Sequence, residues 1–362
     1  MTRPFVDVVI ACHDPSRPIA RAVGSVLADD RSRTLARVTV VAHGRRAVEF
    51  EERLAGIAGD WRVIEHHDGI RSPAGPFNKG LDEATAEYCA VMGSDDFLEP
   101  GALDAWSTAA RDRQADMVIA PMRIDGQPVM LNPLPRVRRT RRLDAARDRL
   151  LYRTAPLGLL RTATVRRLGL RMHEGVPTGE DIEFGVRMLT EADRIDFPLR
   201  APCYVIGTDA RERTSHAALD IRSTLEPLAA LLDGAAPGRM TAEHRRALAI
   251  KFIRISVLGA ARARPAEEDW QDGDVEELRG MLARLMSLSP GSVGPLSRSE
   301  RVLTDAISTA TRPGDVIAAI ERSSTMTSRA ERLLPRRPRA WLDRESLLRR
   351  YAVHAIRERG LG

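Results

Sequence analysis

Apolar and polar positions alternate between two periods along the first hundred residues. Val6-Asp7-Val8-Val9-Ile10-Ala11-Cys12 is a β-branched run with the character of a buried parallel strand. His13-Asp14-Pro15-Ser16 turns the chain, with Ser16 placed to cap a helix on which Ile19, Ala22, Val23, Val26 and Leu27 recur at helical spacing. Arg37–Ala42 reads as a second strand ending at His43-Gly44, followed by a helix with Val48, Phe50, Leu54 and Ile57 on its apolar face. Trp61–Glu65 is a third strand. A Gly/Pro-rich loop from Asp68 to Pro76 leads to a helix carrying Leu81 and Ala84, and Tyr88–Met92 is the fourth strand. The order β-α-β-α-β-α-β predicts an α/β fold with a parallel, doubly wound sheet and right-handed crossovers.

Beyond residue 105 the pattern loosens. Asp116–Pro121 and Gln127–Leu131 read as short strands, Arg141–Tyr152 as a helix, and Gly158-Leu159-Leu160 as an apolar run before a helix over Val165–Leu168. Thr178 is placed to cap a helix that opens on Glu180-Asp181, and Pro202–Ile206 is a last strand. From Ala217 the chain becomes Ala/Leu/Arg-rich. Leu225-Leu228-Leu231-Leu232, Leu248-Phe252-Ile255, Leu278-Leu282-Leu285 and Leu347-Tyr351-Ala355 lie at helical spacing, and Pro237-Gly238, Arg264-Pro265, Pro290-Gly291 and Pro335–Pro338 separate them. Two domains are expected, 1–216 and a helical 217–362.

Composition sharpens this in three places. Of 362 residues 43% are hydrophobic but only 4% aromatic, so the core must rest on aliphatic side chains. The net charge is +6, yet lysine occurs only at Lys79 and Lys251, which marks a bias toward arginine along the whole chain. The dense Arg136–Arg142 cluster has no interleaved stacking aromatics, which argues against nucleic acid. No apolar run approaches the ~20 residues of a membrane span, and no signal-type segment opens the chain, so a cytoplasmic protein is expected. Cys12, Cys89 and Cys203 lie too far apart for a metal motif and read as reduced core residues.

The chemistry concentrates where the fourth strand ends, at Gly93-Ser94-Asp95-Asp96. Ligands of open α/β sheets sit outside the carboxyl ends of the strands. Adjacent carboxylates there repel unless a cation lies between them, and Mg²⁺ or Mn²⁺ is held by one or two carboxylates plus phosphates. An acidic turn capping the next helix is the plainer alternative. No Gly-x-Gly-x-x-Gly follows the first strand and no phosphate-cradling Gly-x-x-x-x-Gly-Lys-Ser/Thr occurs.

Taken together and in order, Val8–Asp14 with Arg21–Leu27, Asn78-Lys79-Gly80-Leu81 with Ala84–Tyr88, and Gly93–Asp96 with Pro100 downstream resemble the nucleotide-sugar half of a family-2 glycosyltransferase with the GT-A fold. Two departures stand out. Many members carry Asp where this chain has Gly93, and many have an acidic turn where this chain has His43-Gly44-Arg45.

The resemblance implies a nucleoside-diphosphate sugar as donor, by default a UDP-sugar. It places donor contacts at Ala11, His13, Asp14, Asp68, Arg71, Asn78, Lys79, Ser94 and Asp95, and a Mn²⁺ or Mg²⁺ at Asp95 and Asp96 with His216 as a further ligand. It makes Asp181 the general base, with Glu180 beside it. The acceptor would be a glycan or a lipid-linked or polymeric acceptor of the bacterial cell surface. The helical region would serve acceptor docking, oligomerisation or contact with the membrane surface. A metal-dependent nucleotidyl- or phosphoryltransferase also uses paired carboxylates. An inactive scaffold is a third reading, suggested by Gly93 and the missing acidic turn.

Overall fold

The run Val6–Cys12 is β1, buried almost throughout, and it pairs in parallel with β2 (Ala36–His43) on one side and β4 (Tyr88–Gly93) on the other. The computed structural model describes residues 3–209 and 219–359. Two compact units are formed. One comprises Met1–Asn132, Arg138–Asp144 and Arg153–His216, the other Pro133–Val137, Ala145–Tyr152 and Ala217–Gly362.

In the first unit the chain continues through α1 (Ile19–Val26), α2 (Asp30–Leu35), α3 (Val48–Leu54), β3 (Asp60–His66), α4 (Ala74–Glu83), β5 (Phe97–Leu98) and α5 (Ala102–Arg113). Then follow β6 (Met117–Ile119), β7 (Met122–Ile124), β8 (Gly158–Arg161), α6 (Thr162–Leu168), α7 (Ile182–Glu191), β9 (Ile195–Asp196) and β10 (Tyr204–Ile206). The main sheet has the order β3-β2-β1-β4-β8-β6-β9. Its first four strands are parallel, while β8 runs antiparallel to both β4 and β6. A small sheet, β5-β10-β7, stands beside it. Ile19, Val23 and Val26 of α1, Phe50 and Leu54 of α3, and Trp106 of α5 all pack in one core with Val8, Ile10, Val38 and Val40. Chain reversals beyond each parallel strand carry polar side chains to one edge of the sheet, and there the site is built.

Four expectations for this half need correction. Ser16 does not cap α1: Pro18 takes the cap position, and Ser16 donates instead to Asp14. Gln127–Leu131 is not a strand: β7 lies earlier, and this stretch adds only a bridge from Val129 to Arg123. Pro128 has no N–H to extend a ladder, and Gly126 turns the chain at φ 73°. Arg141–Tyr152 is not an α-helix and holds a single 3₁₀ turn, Leu150–Tyr152. Arg142 and Arg149 are left-handed, at φ 46° and 53°, and the N–H groups of Arg142 and Leu143 bond to Asp196 and to the Ile195 carbonyl instead. Thr178 does not cap α7: Gly179, at φ 77°, intervenes and Asp181 takes the cap position. The Arg136–Arg142 cluster is also divided, since Arg136 belongs to the second unit and Arg138–Arg142 to the first.

The second unit contains α8 (Ile221–Asp233), α9 (Ala236–Arg239), α10 (Ala242–Phe252), α11 (Leu258–Arg262), α12 (Asp274–Leu288), α13 (Arg298–Thr309), α14 (Pro313–Thr325), α15 (Arg329–Leu333) and α16 (Leu347–Arg359). Leu225, Leu228, Leu248, Phe252, Leu278, Leu282 and Leu285 are buried, as their spacing implies, whereas Ile255 and Tyr351, placed on the same kind of stripe, are exposed. A wide turn, Ile253–Val257, joins α10 to α11 and buries Arg254. That guanidinium is tolerated because it is fully paired: Glu300 accepts at 2.8 Å, with the Tyr152 hydroxyl and the Glu345 and Pro295 carbonyls around it. Among the described residues no helix is long and apolar enough to cross a membrane.

Candidate active site

The acidic turn at the end of β4 is held from three sides. Arg17, just before α1, donates from Nε to Ser94 Oγ at 2.8 Å and pairs through Nη2 with Asp95 Oδ1 at 2.7 Å. Arg21, one turn into α1, donates to the Asp95 carbonyl at 2.5 Å and grips Asp209 with both Nη atoms at 2.8 Å. From the small sheet, the Tyr204 hydroxyl donates to Asp96 Oδ2 at 2.5 Å and accepts the Gly93 N–H at 3.0 Å. The Gly207 N–H donates to Asp96 Oδ1 at 3.0 Å. Burial and the adjacent Asp96 charge push the Tyr204 phenol well above its usual range, so it stays a proton donor.

Two glycines permit these approaches. A Cβ at Gly207 would stand 1.9 Å from the Asp95 carbonyl oxygen. One at Gly93 would stand 2.6 Å from Asp96 Oδ2, so a side chain there is incompatible with this placement of Asp96. Asp96 thus spends both oxygens inside the protein. Asp95 shares only Oδ1 with Arg17 in a contact of this kind. Among the described residues no three His, Cys, Asp or Glu side chains are arranged to hold a metal ion. His216 lies outside the described residues.

A second polar group forms where β2 and β3 end. His43 and His66 are register partners, and Asp68 receives both: His43 Nε2 at 2.7 Å and His66 Nε2 at 3.0 Å. Burial alone would raise the Asp68 pKa, but hydrogen bonds from His43, the Ile70 N–H and His66 bring it down to about 2. A Cβ at Gly75 would meet Asp68 Oδ2 at 2.1 Å, so the glycine opening α4 makes room for the carboxylate. Asp68 therefore brings to the end of β2 an acidic group that β2's own turn lacks.

The other predicted donor residues are more dispersed. Ala11 ends the pairing of β1 with Gly93. The exposed His13 offers its carbonyl to Arg45, and Asp14 closes a turn by accepting from the Ser16 N–H and hydroxyl, both at 2.8 Å. Those bonds from Ser16 lower the Asp14 pKa. Arg71 is exposed. Lys79 pairs with Glu83 at 2.9 Å on α4. Asn78 is buried, its amide joined to the Met172 backbone and to Glu174. Gly80 lets α4 settle on β1, since a Cβ there would lie 2.2 Å from Val9 Cγ1. The Asn-x-Gly motif thus fastens a helix behind the site. Arg17, Arg21, Tyr204, His43 and His66 were not singled out as site residues. Only a strand-end position, for the two histidines, pointed to any of them.

Glu180 and Asp181 open α7. The Gly185 N–H caps back on the Asp181 carbonyl at 2.8 Å, and Gly185 rests on the Thr154 carbonyl, which a Cβ would strike at 1.7 Å. Burial and then the Asp181 charge raise the Glu180 pKa from 4.5 to about 7. The folded state therefore holds this proton more tightly than the unfolded chain does. Below pH 4.5 both states are protonated and nothing is lost, whereas stability falls as pH rises through 7. Glu180→Gln is accordingly expected to leave thermal stability unchanged near pH 4.5 and to add about 1–3 kcal/mol above pH 7. Equal melting temperatures for the two proteins at pH 8 would rule out the buried, charge-coupled carboxyl.

A doubly wound parallel half-sheet, an antiparallel β8 beside β4, and an acidic turn braced by a small second sheet define the GT-A class of nucleotide-sugar folds. Residues 7–169 match the model of glycosyl transferase family 2. Among solved structures, S. aureus TarS residues 1–349 in complex with UDP-GlcNAc is similar at 17% identity and a TM-score of 0.72, covering 88% of this chain and 91% of that one. The same TarS fragment with UDP aligns at 16% identity and a TM-score of 0.71, covering 90% and 92%. These likenesses show the shared fold. No curated protein matches the sequence.

Proposed function

We propose that the chain transfers a sugar from a nucleoside-diphosphate donor, a UDP-sugar by preference, to an acceptor hydroxyl with inversion at the anomeric carbon. The observation that carries this reading is the braced Ser94-Asp95-Asp96 turn at the strand ends of the stretch that matches family 2. The uridine preference rests on the TarS fragment, which was crystallised with UDP-GlcNAc and with UDP.

In this reading the acceptor oxygen attacks the anomeric carbon from the side opposite the diphosphate. Asp181 accepts the hydroxyl proton as the new bond forms, and Glu180 beside it keeps the pair from carrying two full charges near neutral pH. The nucleoside diphosphate leaves with the bonding electrons. Arg17, fixed between Ser94 and Asp95, places a permanent positive charge at the turn. Asp95 fits a divalent cation better than Asp96 does, because such ions need only one or two carboxylates beside the substrate's phosphates. When bound there, Mn²⁺ or Mg²⁺ would neutralise charge on the leaving diphosphate. Asp68 with its two histidines, Asp14 and Arg71 are the groups assigned to the nucleobase and ribose end, and Lys79 to a phosphate. The acceptor is read as a bacterial surface glycan or cell-wall polymer met in the cytoplasm.

Incubation with UDP-sugars and a glycan acceptor is expected to release UDP. UDP with Mn²⁺ should also raise the melting temperature, because a ligand specific to the native state stabilises it. Release of pyrophosphate would instead identify a nucleotidyltransferase. No stabilisation by any nucleoside diphosphate would identify an inactive scaffold.

A further inference from the structure

The chain's net charge is concentrated far from the acidic turn in sequence. Residues 329–350 hold eight arginines against three carboxylates, which is five of the net six positive charges. Within the second unit this segment borders a cleft of about 470 Å³ whose charged lining is Arg301, Arg336, Arg337, Arg339 and Asp343. The carboxylates nearby are already committed. Asp305 is shared between Arg301 Nη2 at 2.5 Å and Arg336 Nη1 at 2.6 Å. Asp343 is held by Arg246 at 2.7 Å. Among the described residues, the exposed Arg337 and Arg339 side chains make no hydrogen bond or ion pair. Burial lowers the Arg301 pKa, and repulsion from Arg336 and Arg337 adds to it against the pull of Asp305. Like charges are thus crowded around a concave space with too few counter-charges.

We propose that this cleft binds a linear chain of linked phosphate groups, of the polyphosphate class. Guanidinium forks match phosphate oxygens in pairs, and four of them along one cleft suit successive phosphates better than one isolated anion. The lining between them is small and aliphatic, as at Val293, and includes no aromatic ring. Single-stranded nucleic acid takes much of its affinity from stacking on such rings, so the cleft fits a phosphate chain without bases.

The probe is inorganic polyphosphate, titrated against the full chain in increasing salt. Binding is expected with log K falling about 2 units per decade of salt, the slope of roughly three phosphate contacts at ~0.7 each. Arg337→Glu/Arg339→Glu, two exposed changes, should weaken it by about tenfold or more while the melting temperature without ligand is unchanged. Unaltered affinity in that double variant overturns the site. Equal affinity for orthophosphate overturns the chain requirement. Stronger binding of single-stranded DNA, or of anionic phospholipid vesicles, overturns the ligand class. None of these readouts involves a nucleotide sugar, so the result stands apart from the transferase reading.

Discussion

Asp181→Asn is expected to slow sugar transfer by ~10²–10⁴-fold, the usual cost of losing a positioned general base. UDP affinity should hardly move. Asparagine keeps the size and the backbone role of the residue, whose carbonyl receives the Gly185 N–H. It cannot take a proton. The substitution also removes the charge that helps to raise Glu180, so the Glu180 pKa should fall from about 7 toward 4.5. The variant therefore gains an ionised neighbour while losing the base, and that separates the two carboxylates. If Asp181 is the base, activity collapses although Glu180 is now more fully ionised at neutral pH. If Glu180 were the base, Asp181→Asn would retain most activity with its pH optimum moved to the acid side, and Glu180→Gln would abolish transfer. Steady-state rates from pH 5 to 9 for both variants, with UDP binding measured in parallel, distinguish the outcomes. Near-wild-type transfer by Asp181→Asn sinks the assignment.

How far the sequence reveals this fold depends on how many neighbours each segment needs. The parallel half was legible because each strand is a run of β-branched or apolar residues and each helix carries its own stripe. Val6–Cys12 was read to the residue, and Ala36–His43 and Tyr88–Gly93 to within one residue at each end. Past residue 113 the strands shrink to two to four residues, as in β7 and β9, and so short a run shows no period. Arg141–Tyr152 has a helical composition, yet its backbone donors find better acceptors on β9. The site divides in the same way. Adjacent carboxylates at a strand end are visible in one dimension. Their partners are not, because Arg17 lies 77 residues from Ser94 and Tyr204 lies 108 from Asp96. Nor does a sequence say that Asn78 and Gly80 hold a helix in place, which only the approaches to Met172 and Val9 make plain.

Those same partners give Asp95 and Asp96 different expected phenotypes. Asp96 accepts the Tyr204 hydroxyl at 2.5 Å and the Gly207 N–H at 3.0 Å, so its charge is spent on joining the small sheet to the end of β4. Asp96→Ala leaves a buried phenol and a backbone N–H without their acceptor, at a cost of about 1–3 kcal/mol for each such group. Its signature should be a lower melting temperature, with donor affinity reduced because the turn has loosened. Asp95 contributes little to the fold beyond its pairing with Arg17, in which each side chain is 14% exposed. Asp95→Asn should leave the melting temperature within a few degrees of wild type. It should nonetheless remove the Mn²⁺-dependent part of UDP binding, a loss on the order of 2–5 kcal/mol where one member of a desolvated charge pair is deleted. Calorimetric titration of UDP into both variants, with and without Mn²⁺, reads the two effects separately. Metal-dependent binding that survives in Asp95→Asn but vanishes in a stably folded Asp96 variant would reverse the assignment of the two carboxylates.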